Sequence, residues 1–196
     1  MANTIWCVGR NYKDHAVEMK AELPTEPLIF IKSWNCIDLS TTVTLPHFSQ
    51  HVEHEIEIAL FLGSDLQVKD ISLAVDLTAR DIQSQLKSKG QPWARAKSFK
   101  NSCLLSSKIP YQDDAWFNTL KFDLKVNGES KQMGLTQDMI FSPQQIIDSL
   151  VEFYPVVAGD IILSGTPAGV GPLKPGDKLK AEINDHLVWN LDVAGQ

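Results

Sequence analysis

Cysteine is scarce in this chain of 196 residues. Cys7, Cys36 and Cys103 lie far apart with no CxxC pair, which argues against a disulfide framework and a structural zinc site and suits a reducing, cytoplasmic setting. Long hydrophobic runs are missing as well. A stretch such as IEIALFLG is far short of the roughly 20 apolar residues that cross a bilayer. MANTIWCVGR lacks the basic-then-apolar pattern of a signal peptide, so the expectation is an unprocessed chain with no membrane partner. Positive charge never clusters: 18 Lys and Arg stand against 24 Asp and Glu, for a formal net charge of -6. That balance argues against a nucleic-acid surface and leaves a small molecule as the expected partner. There is no internal repeat, low-complexity tract or Gly/Ser linker, so residues 1–196 are expected to form a single domain. With 43% hydrophobic residues it can bury a substantial core.

Strand-like runs dominate what is present. TIWCVG, EPLIFIKS, EHEIEIALFLG, SFKNSCLL, LKFDLKVNG, GDIILSG and DKLKAEI are each bounded by Pro, Gly, Asn or Asp. Helical patterns are fewer: NYKDHAVEM, TARDIQSQLKSKG and SPQQIIDSLVEFY. In the second, Thr78 and Asp81 have capping-box spacing, and Gly90 with Pro92 marks the end. In the third, Ser142 caps, Pro143 takes the first helical position, and Ile146, Ile147, Leu150 and Phe153 recur at helical spacing. Many strands with short helices between them predict a mostly-β, antiparallel-rich α+β fold.

The stretch HVEHEIEI, residues 51–58, poses an electrostatic problem. As one strand it places His51, Glu53, Glu55 and Glu57 on one face and Val52, His54, Ile56 and Ile58 on the other. Neighbouring carboxylates would sit about 6.6 Å apart and repel by about 2.5 kcal/mol per pair at an effective dielectric near 20. Either water screens them or a cation lies between them. Carboxylates at i and i+2 on one face can turn toward a hard divalent cation, with a third ligand from elsewhere, and Asp76 in AVDLTARD is available. Mg²⁺, Mn²⁺ and Ca²⁺ all suit such oxygen ligands. His51 and His54 face opposite ways and do not chelate together.

Other segments offer chemistry that ordinary surface structure would also explain. Arg80, Gln83 and Lys87 share one helical stripe, from which Arg80 can pair with a carboxylate or bind an anion; for Lys87 a solvated position is expected. Lys97 opens a strand-like run. His15 and Glu18 share a side of a helical NYKDHAVEM, an arrangement in which the carboxylate fixes the tautomer of the imidazole and raises its basicity. SGTPAGVGPLKPGD supplies Gly165, Gly169 and Gly171 between two strands, where backbone N–H groups can approach a carboxylate or oxyanion. It lacks the Gly-Lys-Ser/Thr ending of a P-loop.

Taken in order, CVGRNYKDHAVEM, EHEIEIALFLG, VDLTARDIQ, KGQPWARAKSF, VNGESKQMGLTQDMIFSPQQII and GDIILSGTPAGVGPLKPGD resemble the fumarylacetoacetate hydrolase family, in its acylpyruvate hydrolase and oxaloacetate decarboxylase branch. The resemblance implies a mixed β-sandwich roll, a homodimer, and Mg²⁺ or Mn²⁺ held by Glu55, Glu57 and Asp76. It further implies that Arg80, Gln83 and Lys97 line the substrate site, that Thr166 contacts the substrate carboxylate, and that His15 and Glu18 form the catalytic dyad. Glu53 falls outside the matched pair and is expected at solvent or the edge of the site. The expected reaction is metal-dependent cleavage of a carbon–carbon bond in a small 2-oxo acid or 1,3-dicarbonyl. Acylpyruvate hydrolysis comes first; oxaloacetate decarboxylation or tautomerisation on the same metal is the alternative, and a non-catalytic ligand-binding protein is the remaining reading. Two departures stand out: the connection SDLQVKDISLA before Asp76 is about ten residues shorter than usual, and SWNCIDLSTTVTLP lacks the proline that ordinarily follows the lysine.

Overall fold

The near-continuous apolar runs IWCV, IALFL and IIL bury both faces of their strands, which places these segments inside one sheet. In this computed structural model, residues 3–184 and 186–194 are described; Met1, Ala2, Asp185, Gly195 and Gln196 lie outside them. The large sheet runs in the order Leu28–Lys32, Ile5–Gly9, Ile161–Leu163, Ile56–Leu62, Val68–Asp76, Cys103–Leu105 and Ile37–Asp38, with Ile109–Pro110 also pairing with Val68–Asp76. Ile5–Gly9 lies parallel to Ile161–Leu163, and the central hairpin of Ile56–Leu62 with Val68–Asp76 is antiparallel. A second sheet holds Glu129–Leu135, Lys121–Val126, Lys178–Ile183, Leu187–Ala194 and Thr42–Thr44.

Alternation divides the large sheet into two faces. Trp6, Val8, Ile58, Leu60, Leu73 and Val75 pack with Phe122, Leu124, Ala181 and Ile183 of the second sheet in the main core. Ile5, Cys7, Ala59, Ala74, Cys103 and Leu163 form a smaller apolar cluster on the other face. Glu57 and Asp76 continue that second face, two residues beyond Ala59 and Ala74 in their strands. The fold is mostly β with short helices, as the sequence pattern predicts.

HVEHEIEI does not form one strand. Val52–His54 pairs with Thr78–Ala79 and Gly171–Pro172 in a small third sheet, while Ile56–Leu62 belongs to the large one, and Glu55 stands between them. Side chains complete the backbone pairing at the break. Gln132 Oε1 accepts from Ile56 N–H at 3.0 Å and from His54 Nδ1 at 2.9 Å. Its Nε2 donates to Thr166 Oγ1 and to the Pro167 carbonyl, both at 2.8 Å, and the Thr166 hydroxyl donates to the Ile56 carbonyl at 2.8 Å. One buried amide thus uses its full hydrogen-bonding capacity to tie the strand break to the glycine-rich loop. His54 is buried in this network.

Several local expectations are corrected. Thr78 does not cap a helix: it pairs with Glu53 in the small sheet, the helix is Arg80–Ser88, and Asp81 instead accepts from Ser49 Oγ at 2.6 Å. Tertiary pairing overrides the local cap. SFKNSCLL is strand only over Cys103–Leu105, and Lys97 ends the short helix Ala94–Lys97. The helix Pro143–Phe153 has the Ser142 cap, reinforced by Gln145, but Phe153 is 66% exposed because the helix buries only its Ile146, Ile147 and Leu150 side. The short connection before Asp76 forms a tight turn: Gly63 N–H bonds to the Gln67 carbonyl, and Val68–Asp76 runs directly to the carboxylate. Among the described residues no helix is long and apolar enough to cross a membrane.

Gln132→Met should leave the Ile56 N–H and the Pro167 carbonyl buried without their partner. A stability loss of about 2–4 kcal/mol is expected, read from the urea midpoint at an unchanged m-value; an unaltered midpoint would contradict the role given to this amide.

Candidate active site and metal centre

The cleft is lined by residues from strand ends and short helices. Val8, Gly9 and Arg10 close the first strand; His15 and Met19 come from the Lys13–Glu18 helix and its end; Leu28 and Phe30 come from the second strand. Glu55 and Glu57 flank the strand break, Arg80, Gln83 and Lys87 come from the Arg80–Ser88 helix, and Trp93, Lys97 and Thr166 complete the lining.

Glu55, Glu57 and Asp76 each offer an oxygen, all within 4.8 Å of one another, and all three are buried. Cations surround two of them. Lys97 Nζ lies 2.7 Å from Glu55 Oε2 and 2.9 Å from Asp76 Oδ2, and Arg80 Nη2 donates to Glu55 Oε1 at 2.6 Å. Lys32, which the sequence reading passed over, is fully buried with Nζ 2.8 Å from Asp76 Oδ1. The Leu77 carbonyl, the Ser102 carbonyl and Oγ, and the Lys97 carbonyl also lie within hydrogen-bond reach of its Nζ and share its remaining protons. The signal available in the sequence was a lysine closing the apolar run LIFIK, on the same face as Phe30.

Glu53 is not at solvent. Its side chain is nearly buried and takes Arg80 Nε at 2.5 Å and His51 Nε2 at 3.0 Å, because the strand break leaves it beside the Arg80 helix. Arg80 therefore bridges Glu53 and Glu55, and its Nη1 donates to Gln83 at 2.7 Å. Lys87 does not simply point into water: its ammonium lies 4.8 Å from the Trp93 ring centroid and it lines the cleft.

The charges decide what the cluster lacks. Burial would push Glu55 up, but Lys97 and Arg80 hold it well below the usual carboxylate range. Lys97 is held well above the ordinary lysine value: Asp76 and Glu55 outweigh the opposing effect of burial, so it remains an ammonium at neutral pH. Glu57 goes the other way, raised well above its ordinary value by burial and by Asp76 and Glu55. Its partner is a backbone donor, the Gly165 N–H at 2.6 Å, and no lysine or arginine among the described residues forms an ion pair with it. A buried all-oxygen triad whose third member lacks a cation fits a hard divalent ion.

The glycine-rich loop holds the dyad as well as the triad. His15 Nδ1 lies 3.0 Å from Glu18 Oε2, and Glu18 Oε1 accepts from Gly169 N–H at 3.0 Å. A carboxylate only accepts, so Nδ1 donates to Glu18, and Nε2 is the ring nitrogen not engaged by it. Gly165 and Gly169 both have φ +98, and a Cβ on Gly165 would stand 2.7 Å from Asn11 Cβ, while one on Gly169 would collide with the Lys131 carbonyl. Asn11, a second residue missed in sequence, is fully buried. It donates to the Phe141 and Ser164 carbonyls at 3.0 and 2.8 Å and accepts from Phe141 N–H at 2.7 Å, fixing the start of the His15 helix against this loop. Thr166 lines the cleft, but its hydroxyl is engaged by Ile56 and Gln132.

Comparison with known proteins agrees with this geometry. A family model described as fumarylacetoacetate (FAA) hydrolase C-terminal matches residues 4–188. The oxaloacetate tautomerase YcgM of Escherichia coli (strain K12) is 40% identical over 194 residues, covering 92% of this chain and 88% of that protein. The mitochondrial oxaloacetate tautomerase FAHD1 of Bos taurus is 41% identical over 200 residues, covering 96% and 90%. The crystal structure of fumarylpyruvate hydrolase from Pseudomonas aeruginosa, in complex with Mn²⁺ and pyruvate, superposes with a TM-score of 0.92 at 25% identity, over 100% of this chain and 91% of that one. A buried acidic triad beside a histidine–glutamate pair, on this sheet topology and with these relatives, places the chain in the fumarylacetoacetate hydrolase family.

Proposed function

We propose that this chain is a metal-dependent enzyme acting on small 2-oxo acids with a second carbonyl or carboxylate beside the reacting carbon, and that its first reaction is cleavage of acylpyruvates to pyruvate and a carboxylic acid. The observation that carries this reading is the meeting of two kinds of chemistry in one cleft: the Glu55, Glu57 and Asp76 oxygens, and His15 oriented by Glu18. Glu55, Glu57 and Asp76 would hold Mg²⁺ or Mn²⁺, which when bound supplies Lewis-acid polarisation of the substrate oxygens.

The chain's own residues do the rest. His15 Nε2, free to accept, takes a proton from water attacking the distal carbonyl, while Glu18 stabilises the resulting imidazolium. Lys97, permanently charged and fixed by Glu55 and Asp76, stabilises negative charge developing on the departing enolate oxygen without reorganising. Arg80 and Gln83 orient the substrate from the helix, and the backbone around Thr166 borders the carboxylate. A second reading, tautomerisation or decarboxylation of oxaloacetate in the same cleft, is favoured by the two tautomerases at 40% and 41% identity. Decarboxylation needs no attacking water, and tautomerisation needs only a proton moved at the carbon next to the carbonyl.

Three outcomes test the reading. With Mg²⁺ or Mn²⁺ the protein should consume acetylpyruvate or oxaloacetate in side-by-side absorbance assays, and EDTA should stop it; no turnover of either would sink the proposal. His15→Ala should lower acetylpyruvate hydrolysis by about 10²–10⁴-fold, and hydrolysis at the unmodified rate would remove His15 from the mechanism. Glu57→Gln should lose Mn²⁺ binding, followed by calorimetry, while keeping the far-UV circular dichroism of the fold; retained affinity would refute the ligand assignment.

A further inference from the structure

Five cationic side chains surround the site, and three are spent internally. Lys32 and Lys97 pair with Asp76, and Lys97 and Arg80 pair with Glu55, with Arg80 also on Glu53. Arg10 and Lys87 line the same cleft, and no carboxylate among the described residues forms an ion pair with either. We infer that Arg10 and Lys87 are specificity-determining residues that receive a second carboxylate, so that the cleft selects dicarboxylic 2-oxo acids over those ending in an uncharged acyl group. This rests on the proposed function, which left the acyl end of the substrate open.

Two features pre-position the pair. The Lys87 ammonium lies over Trp93; Trp93 packs against Phe30 with ring centroids 5.9 Å apart, and Phe30 carries the Lys97 ammonium 5.2 Å from its centroid. Two aromatic rings packed at a tilt of 58° therefore lie between an ammonium consumed by the acidic triad and one that is not. An aromatic surface with an ammonium at either end suits a short carbon chain that carries anionic groups. Arg10 has a left-handed backbone at φ 60, a conformation that is costly for a residue with a Cβ. It turns the chain out of the Ile5–Gly9 strand at the cleft, immediately before the buried Asn11 anchor.

The electrostatics agree. Lys87 is held below the ordinary lysine value by burial and by the neighbouring charges of Arg80, Arg10 and Lys97. Cations crowded in this way repel one another until an anion joins them, and a substrate carboxylate would relieve that repulsion.

The test uses the Mn²⁺-loaded protein and its Lys87→Met and Arg10→Met variants. The ratio of kcat/KM for oxaloacetate to that for acetylpyruvate should fall about 10- to 100-fold in either variant; equal losses on both substrates, or no change in the ratio, would overturn the pair. Binding gives a reading independent of turnover: by calorimetry the unmodified protein should take 2-oxoglutarate at least about tenfold more tightly than 2-oxobutyrate, a preference that either substitution shrinks. Equal affinity in the unmodified protein would overturn the inference. Preferential binding without turnover of any substrate would instead preserve the pair and refute the proposed reaction.

Discussion

The carboxylate of Asp76 is completely buried, and both its oxygens meet ammonium groups, Lys32 on one side and Lys97 on the other. A charge in that position can exist only in such company, since an isolated carboxylate in the interior would protonate or prevent folding. Lys32 in turn needs oxygens for its remaining protons and finds them on Leu77, Lys97 and Ser102. The knot thereby joins the second strand, the turn after Asp76, the end of the Ala94–Lys97 helix and the segment entering Cys103. Removing one partner from such a buried pair costs on the order of 3–5 kcal/mol, whereas the intact pair adds little net stability. Its effect is to determine where Asp76 and Lys97 stand.

The glycine-rich loop imposes a second constraint, through backbone in place of charge. Gly165 N–H meets Glu57 and Gly169 N–H meets Glu18, so one loop sets a carboxylate of the triad and the carboxylate behind His15. Asn11 and Gln132 hold that loop from two sides. Asn11 and Gln132, through the loop, therefore decide the geometry of the triad and of the His15–Glu18 pair. Lys97, permanently charged, acts as a fixed electrostatic partner.

The fold class was legible because TIWCVG, EHEIEIALFLG and GDIILSG are short apolar runs bounded by turn residues, and the Ser142-Pro143 cap is chemically local. The acidic triad was legible from the crowding of Glu55 and Glu57 and from ordered motifs that together resemble one family. What escaped depended on contacts far apart in sequence. Lys32 meets Asp76 across 44 positions, Gln132 meets Ile56 across 76, and neither residue carries a local pattern that announces its partner. Thr78 illustrates the opposite failure, a local cap signal overruled because pairing with Glu53 satisfies its backbone. Of the two positions expected for Glu53, it takes the edge of the site and not solvent, because the chain changes sheets at Glu55 and leaves it against Arg80.

That change of sheets also bears on how the chain finds its register. Ile56–Leu62 carries Glu57 among Ile56, Ile58 and Leu60, so a slip of one residue against Val68–Asp76 would turn Glu57 into the main apolar core and two isoleucines into the cleft. Each error would bury an unpaired carboxylate and expose apolar surface at once. Glu57 thus makes the misregistered hairpin the costly one, and the register that gathers the acidic triad is the one on which the sheet can close.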